Sequence, residues 1–487
     1  MADTPVSNNT KTDTTPTSDI GLQKPGDVLI NKLVLNTVSD ESNVDLRPFF
    51  MELHLFEDIF SPTLHGYIII RDAQNLIGRL PIIGDEILTV DIETPGFGNT
   101  GEDLINKIQK SFSVYAVKDR KLNNDREQYY QLFFCSIEAS ADNIVRLSQK
   151  FTGTTDEIVE KIFSENISTP RFFTNKTVAP EGRKTELYIA DTPHESQITF
   201  VPPMWSPIQC LNWLAKRSIG ATYKSPTFLF FETTKAFYFA SIEELVAYQI
   251  EANNLYSDYV YNTNLDGLQS AEEISRGFAT VEAVRFITNL DVIQGQDLGH
   301  FASKVFAFDM IKKKYEAFVY DHGFSFKDYK HMESYKQQDD KFVVDETKKF
   351  NMIYPINVLR SAEGKSFVST INPGVLDSTE DSIDLHPEKF VAQRNSTFMD
   401  LTTMRMQITV PGRTDAEVGK LIRFYYPSVG ERDNTSSESE IWDKLVSGIY
   451  MITAIHHQIS SLRHTMHMEI AKDSYATPLY DVEEEGA

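Results

Sequence analysis

Two cysteines, Cys135 and Cys210, are the only thiols in 487 residues. They can form at most one bridge, which excludes a disulfide framework and fits assembly in a reducing cytoplasm. Positive charge is also scarce: 47 Lys and Arg stand against 70 Asp and Glu, a net charge of −23. Affinity for a phosphate backbone comes mainly from Lys and Arg, so the balance argues against a nucleic-acid binder. It does not argue against DNA passing an acidic wall that repels it. No apolar run approaches the roughly 20 residues that span a bilayer. The opening stretch MADTPVSNNTKTDTTPTSD has no apolar core of a secretory signal. The expectation is a protein that stays in the cell that makes it, or leaves as part of something larger.

Catalytic motifs are missing as well. There is no GxSxG elbow, no HExxH and no P-loop, and no GxGxxG follows a strand. Asp297 and His300 in QGQDLGH are spaced for one helical face. With no nucleophile beside them they read as a helix-start acid and a surface histidine. Gly84–Asp85–Glu86 supplies adjacent carboxylates, but neighbours on a strand point to opposite faces. Cys210 falls on or beside the apolar stripe of a helix and reads as core. With 70 acids, a pair of carboxylates from separate strands stays open, and it supports the alternative of a carbohydrate- or peptidoglycan-cleaving enzyme.

What the chain does have is β-forming sequence. Aromatics are plentiful, with 32 Phe and 21 Tyr. Between residues 27 and 150 short branched and aromatic runs such as FMELHLFEDIF, LHGYIIIRDA and REQYYQLFFCSIEA are broken by Gly, Pro, Asn or Asp, the pattern of an antiparallel sandwich or barrel. Residues 151–276 mix types. Thr154 and Glu157 stand at capping-box spacing, and Ser206–Pro207 opens a second helix with Ile208, Leu211, Leu214 and Ala215 as its buried stripe. TFLFFETT and AFYFASIEEL then read as a hairpin. Strand-like pieces resume over 277–324, residues 325–385 read as a polar insertion, and 386–476 returns to a helix followed by strands. Residues 1–26 and 477–487 have too few apolar side chains to offset the entropy of ordering, so they read as a disordered arm and an acidic tail.

GIYMITAIHHQISSLRHTMHMEIAK carries four of the eleven histidines: His456, His457, His464 and His467. A two-residue turn at Ser460–Ser461 would set Ile459 opposite Leu462 and His457 opposite His464. Side chains alternate along a strand, so the imidazoles divide two and two. A structural zinc site needs four converging ligands and a catalytic one three. Neither face supplies them, so no metal, cofactor or catalytic residue is expected.

Three stretches, in order, resemble one family. HLFEDIFSPTLHGYIIIRDAQNLIGRLPIIGDEILTVDI resembles a first tube-like barrel, and ITFVPPMWSPIQCLNWLAKRSIG resembles the helix of a second domain. MQITVPGRTDAEVGKLIRFYYPS with SGIYMITAIHHQISSLRHTMHMEIAK resembles a second tube-like barrel. Together they are similar to the central baseplate hub of contractile-tailed bacteriophages, which is related to the hub part of type VI secretion spike proteins. The resemblance implies an α+β, predominantly β chain, with two tail-tube-like barrels around an intervening α+β domain. It also implies a homotrimer in the virion baseplate, assembled in the host cytoplasm. Three copies would join a sixfold tail tube to a threefold spike, contact neighbouring baseplate proteins, and let DNA through without binding it. Strand segments 112–118 and 405–410 are taken as facing that conduit. The chain reaches Ala487 without a glycine-rich triple-stranded β-helix, so the spike is expected to be a separate protein.

Overall fold

The computed structural model describes residues 24–36, 43–79, 82–84, 86–95, 107–124, 126–168, 185–190, 198–261, 276–309, 314–337, 350–356, 390–429 and 441–478. The N-terminal arm up to residue 23, Asp85, most of the insertion and the tail from 479 lie outside the described residues. The described fold is α+β and predominantly β. It is dominated by one 14-stranded sheet that curls into two barrels.

The first barrel has six strands in chain order: Leu29–Asn36, a bent strand made of Asn43–Asp45 and Phe50–Asp58, His65–Asp72, Ile87–Glu93, Lys107–Asn124 and Glu127–Ser136. Their lateral order is first, second, third, sixth, fifth, fourth, and the fourth pairs back onto the first. The bend in the second strand closes the sheet, because Asn43–Asp45 pairs with Leu29–Asn36 while Phe50–Asp58 pairs with His65–Asp72. Period-2 alternation then sends Leu33, Leu53, Ile68, Val90, Phe112, Leu132 and Phe134 into one interior.

The second barrel repeats that plan. Its strands are Ser257–Tyr261, a bent strand of Thr280–Val281 and Ala283–Asn289, Met404–Pro411, Leu421–Tyr425, Gly448–Ser460 and His464–Lys472. The lateral order is again first, second, third, sixth, fifth, fourth and back to first. The bend falls at Glu282, whose N–H donates to the Thr409 carbonyl. One difference separates the two. Ser257–Tyr261 runs parallel to both neighbours, whereas Leu29–Asn36 runs antiparallel to both. Gly84 and Gly419, both at positive φ, lead into the two fourth strands.

Between the barrels sit helices Thr155–Asn166, Pro207–Ala215 and Ile242–Glu251 with the hairpin Phe228–Glu232 and Phe237–Ser241. The capping box expected at Thr154 and Glu157 has the Thr154 N–H donating to Glu157 Oε2 at 3.1 Å, and Ser206, expected as an N-cap, also forms a capping box with Gln209. Cys210, Leu211 and Leu214 are fully buried there, in line with a core role for Cys210, and burial pushes its thiol up to about 12. The two cysteines are free.

Two segments depart from the sequence reading. Ser257–Tyr261, placed by sequence in the middle unit, is a strand of the second barrel, since Tyr259 is a good buried β-former beside Phe424. Residues 302–309 and 314–321, expected in that barrel, instead belong to a separate sheet in which Ala302–Asp309 lies between Lys314–Asp321 and Phe350–Ile356. No helix among the described residues is long and apolar enough to cross a membrane.

Candidate assembly site at the seam between the barrels

The two barrels are one hydrogen-bonded sheet because Gly448–Ser460 has two working halves. Leu421–Phe424 pairs with Met451–Gly448, and the stretch from Ala454 to Ser460 pairs antiparallel with Asp58–Glu52 of the first barrel. The switch falls at a bulge between Ile452 and Ala454. A bulge adds local twist, and beyond it the strand keeps Glu469–His464 of its own barrel on one edge and takes up the first barrel on the other.

The histidine stretch lies on this seam. The expected hairpin forms, with a different turn. The Ser460 N–H donates to the Arg463 carbonyl, and Ser460 Oγ accepts from the Arg463 N–H at 3.0 Å, so the turn spans Ser460–Arg463. Ile459 therefore faces His464, not Leu462, and His456 faces His467. The slip is two residues, so the faces are preserved and the imidazoles do divide two and two.

On the buried face His457 Nδ1 lies 3.0 Å from His464 Nε2, and His457 Nε2 lies 3.2 Å from Glu57 Oε1. Burial, then the neighbouring His457, holds the His464 imidazole well below its usual range. On the other face His54 of the first barrel joins the set, its Nδ1 2.9 Å from His456 Nε2. Burial and the surrounding His54, His467 and His457 bring His456 down to about 4. Burial thus disfavours the charged forms of His54, His456 and His464, and His54 stacks on and hydrogen-bonds to His456 across the seam. His54 and Glu57 come from about 400 residues away in sequence, and no local pattern announces them.

A second junction holds the middle unit to the first barrel. Glu232 is fully buried and accepts from the Leu64 N–H at 2.9 Å, from Ser136 Oγ and from the Lys110 ammonium. Burial raises its carboxyl, while Lys110 opposes the rise and the charge of Glu138 adds to it. Glu57, Glu232 and Glu243 are all fully buried, and each has a hydrogen-bond partner in the protein, although Glu57 Oε2 and Glu243 Oε1 have none among the described residues.

One group among the described residues has ligand atoms close enough to hold a metal ion: His300, His322 and Asp400, within 4.8 Å of one another. Asp400 Oδ1 lies 2.7 Å from His300 Nε2 and 3.2 Å from His322 Nε2, and His322 Nδ1 lies 3.0 Å from Ser396 Oγ. Burial would raise the Asp400 carboxyl, and His322 and His300 hold it below its usual range instead. This corrects the reading of Asp297 and His300. Asp291 caps the helix Val292–Asp297, Asp297 stands at its end, and His300 is buried against the helix Val391–Thr403. Glu86 is also buried and accepts from the Ile83 and Gly84 N–H groups at 2.9 Å, so it orders the step into its strand. Along 405–410 buried Met406, Ile408 and Val410 alternate with more exposed residues, whereas Phe112, Ser113 and Val114 are all buried and Tyr115–Lys118 are more exposed.

No protein-family model matches the chain, and no curated protein matches it. Among solved structures, a tail protein from Neisseria meningitidis is similar over 91% of this chain and 96% of its own, at 9% identity and TM-score 0.48. A 43 kDa tail protein of prophage MuSo2 from Shewanella oneidensis is similar over 91% of this chain and 98% of its own, at 10% identity and TM-score 0.49. An Escherichia coli component of the type VI secretion system, described as structurally similar to T4 bacteriophage tail proteins gp27 and gp5, is similar over 91% of this chain and 76% of its own, at 8% identity and TM-score 0.38.

Proposed function

We propose that the chain is a non-enzymatic structural protein of a phage tail baseplate, the trimeric central hub between a sixfold tail tube and a threefold spike. The observation that carries this reading is the repeated strand order of the two barrels, joined through a shared sheet. A chain with two equivalent modules presents six positions in three copies. That is the arithmetic needed to pass from sixfold to threefold symmetry, and closed rings need such repeated complementary patches. The three ordered motifs of the sequence point the same way. The net charge of −23 suits a conduit past which DNA slides without being held.

The test is light scattering of the purified chain at micromolar concentration. A three-chain particle supports the hub, and a monomer counts against it. Turnover of cell-wall material by the same preparation would overturn the non-enzymatic part.

A further inference from the structure

The contact that joins the two barrels has mirror counterparts that are open among the described residues. In the second barrel the fifth strand pairs with the fourth, passes a bulge, and then pairs across to the second strand of the first barrel. The fifth strand of the first barrel begins in the same way. Lys107–Ser113 pairs with Glu93–Ile87, and the Val114 N–H donates to the Glu86 carbonyl as the Ile452 N–H donates to the Lys420 carbonyl. A bulge then falls between Val114 and Ala116, as one falls between Ile452 and Ala454. Beyond it, among the described residues, Ala116–Asn124 pairs only with its hairpin partner Glu127–Ser136. The second strands differ in the complementary sense. Phe50–Asp58 is paired on both sides, whereas Ala283–Asn289 pairs, among the described residues, only with Met404–Pro411.

Among the described residues, each chain therefore retains one open edge of each kind that the seam uses. Both edges carry exposed apolar side chains: Tyr115 at 53% and Leu122 at 78% on one, Phe286 at 38% and Ile287 at 42% on the other. Unpaired N–H and C=O rows are templates for strand addition. Lys118, Arg120 and Lys121 on the first edge discourage indiscriminate pairing, as charged edges do. The two edges are unlike, so joining one to the other is a head-to-tail contact, and such contacts close into rings when the rotation allows.

We propose that residues 117–122 of one copy pair antiparallel with residues 284–289 of the next, repeating between copies the seam that 455–460 and 52–57 make within one. This rests on the ring reading above and adds the surfaces that build it. The register transfers by equivalence. Lys118 follows Val114 at the spacing by which His456 follows Ile452, and His456 faces Phe56. Phe56 faces His65, the residue before Gly66, and Gly66 faces Phe134, which faces Val114. In the second barrel Ile452 faces Ile470, Ile470 faces Met406, and Arg405 before it faces Thr288. Lys118 of one copy thus faces Thr288 of the next.

The experiment is the full-length chain carrying Lys118→Cys and Thr288→Cys, oxidised and run without reductant, with each single variant and Leu445→Cys with Thr288→Cys as controls. Paired strands set Cα atoms within disulfide reach, and an assembled interface holds the thiols at high effective concentration. The Lys118→Cys, Thr288→Cys variant should therefore cross-link into two- and three-chain species at least about tenfold better than any control. Light scattering of the same samples separates the two claims. A three-chain particle without cross-linking at these positions overturns the edge pairing and leaves the ring. Efficient cross-linking of Lys118→Cys alone shows like edges meeting, and also overturns it. A monomer whose 117–122 amides exchange slowly shows these edges covered by another segment of the same chain, and overturns both.

Discussion

Removing the Lys110 ammonium tests how the middle unit is held to the first barrel. Glu232 has no exposed surface, and three groups face its carboxylate: Lys110, the Leu64 N–H and Ser136 Oγ. Lys110→Met keeps the aliphatic stem and deletes the one positive charge. Breaking a buried pair by removing one partner leaves an uncompensated charge and costs about 3–5 kcal/mol. The neutral escape is open, because burial already raises the Glu232 carboxyl. The loss should therefore shrink as pH falls and Glu232 takes a proton in the folded state. Glu232→Gln is the milder change, since Lys110 is 13% exposed and can turn to water, and about 1–3 kcal/mol is expected for the donors it leaves poorly paired. Urea unfolding followed by tryptophan fluorescence reads the result, because Trp205 and Trp213 pack on the middle core. A loss below about 1 kcal/mol for Lys110→Met at neutral pH would refute the reasoning, as it is the size of an exposed pair.

Three further outcomes follow from the same structure. Gly412→Ala would place a Cβ 2.1 Å from the buried His464 ring, so a drop of about 1–3 kcal/mol from overpacking is expected in a thermal melt. Asp400→Asn keeps one acceptor for two imidazoles, and loss of a charged hydrogen bond should cost about 1.5–3 kcal/mol in urea; an unchanged midpoint would contradict that role. The seam histidines set an acid limit. His456 is held at about 4 and His464 well below 6.5, so the unfolded chain binds more protons than the folded one as pH falls below 6.5. Each contributes a slope of up to about 1.4 kcal/mol per pH unit, with stability lost toward acid pH. His331, raised to about 9 by Asp473 against its burial, acts oppositely: its contribution is complete below 6.5 and lost as pH rises through 9. Melting temperature against pH should fall on both sides, and a flat acid limb would contradict the seam assignment.

Local chemistry was legible in the sequence. Ser206, Pro207 and the Ile208–Leu211–Leu214 stripe place a helix end to end, because capping and periodicity act within a few residues. The alternation of the histidine hairpin was legible for the same reason. Its register was not, because Ser460 closes a wider turn through its own hydroxyl, and that choice leaves no mark on the periodicity. The bends at residues 46–49 and at Glu282 that close the barrels depend on partners far along the chain, as does the burial of His300 against Asp400. Strand runs announce that a sheet exists; which run lies beside which is decided by long-range pairing.

The most direct measurement is an electron-microscopy image of the purified full-length chain, averaged to the point where domains are visible. A threefold ring of six similar barrels around an open centre is expected. A single chain standing alone, or a particle whose centre is filled, would contradict it.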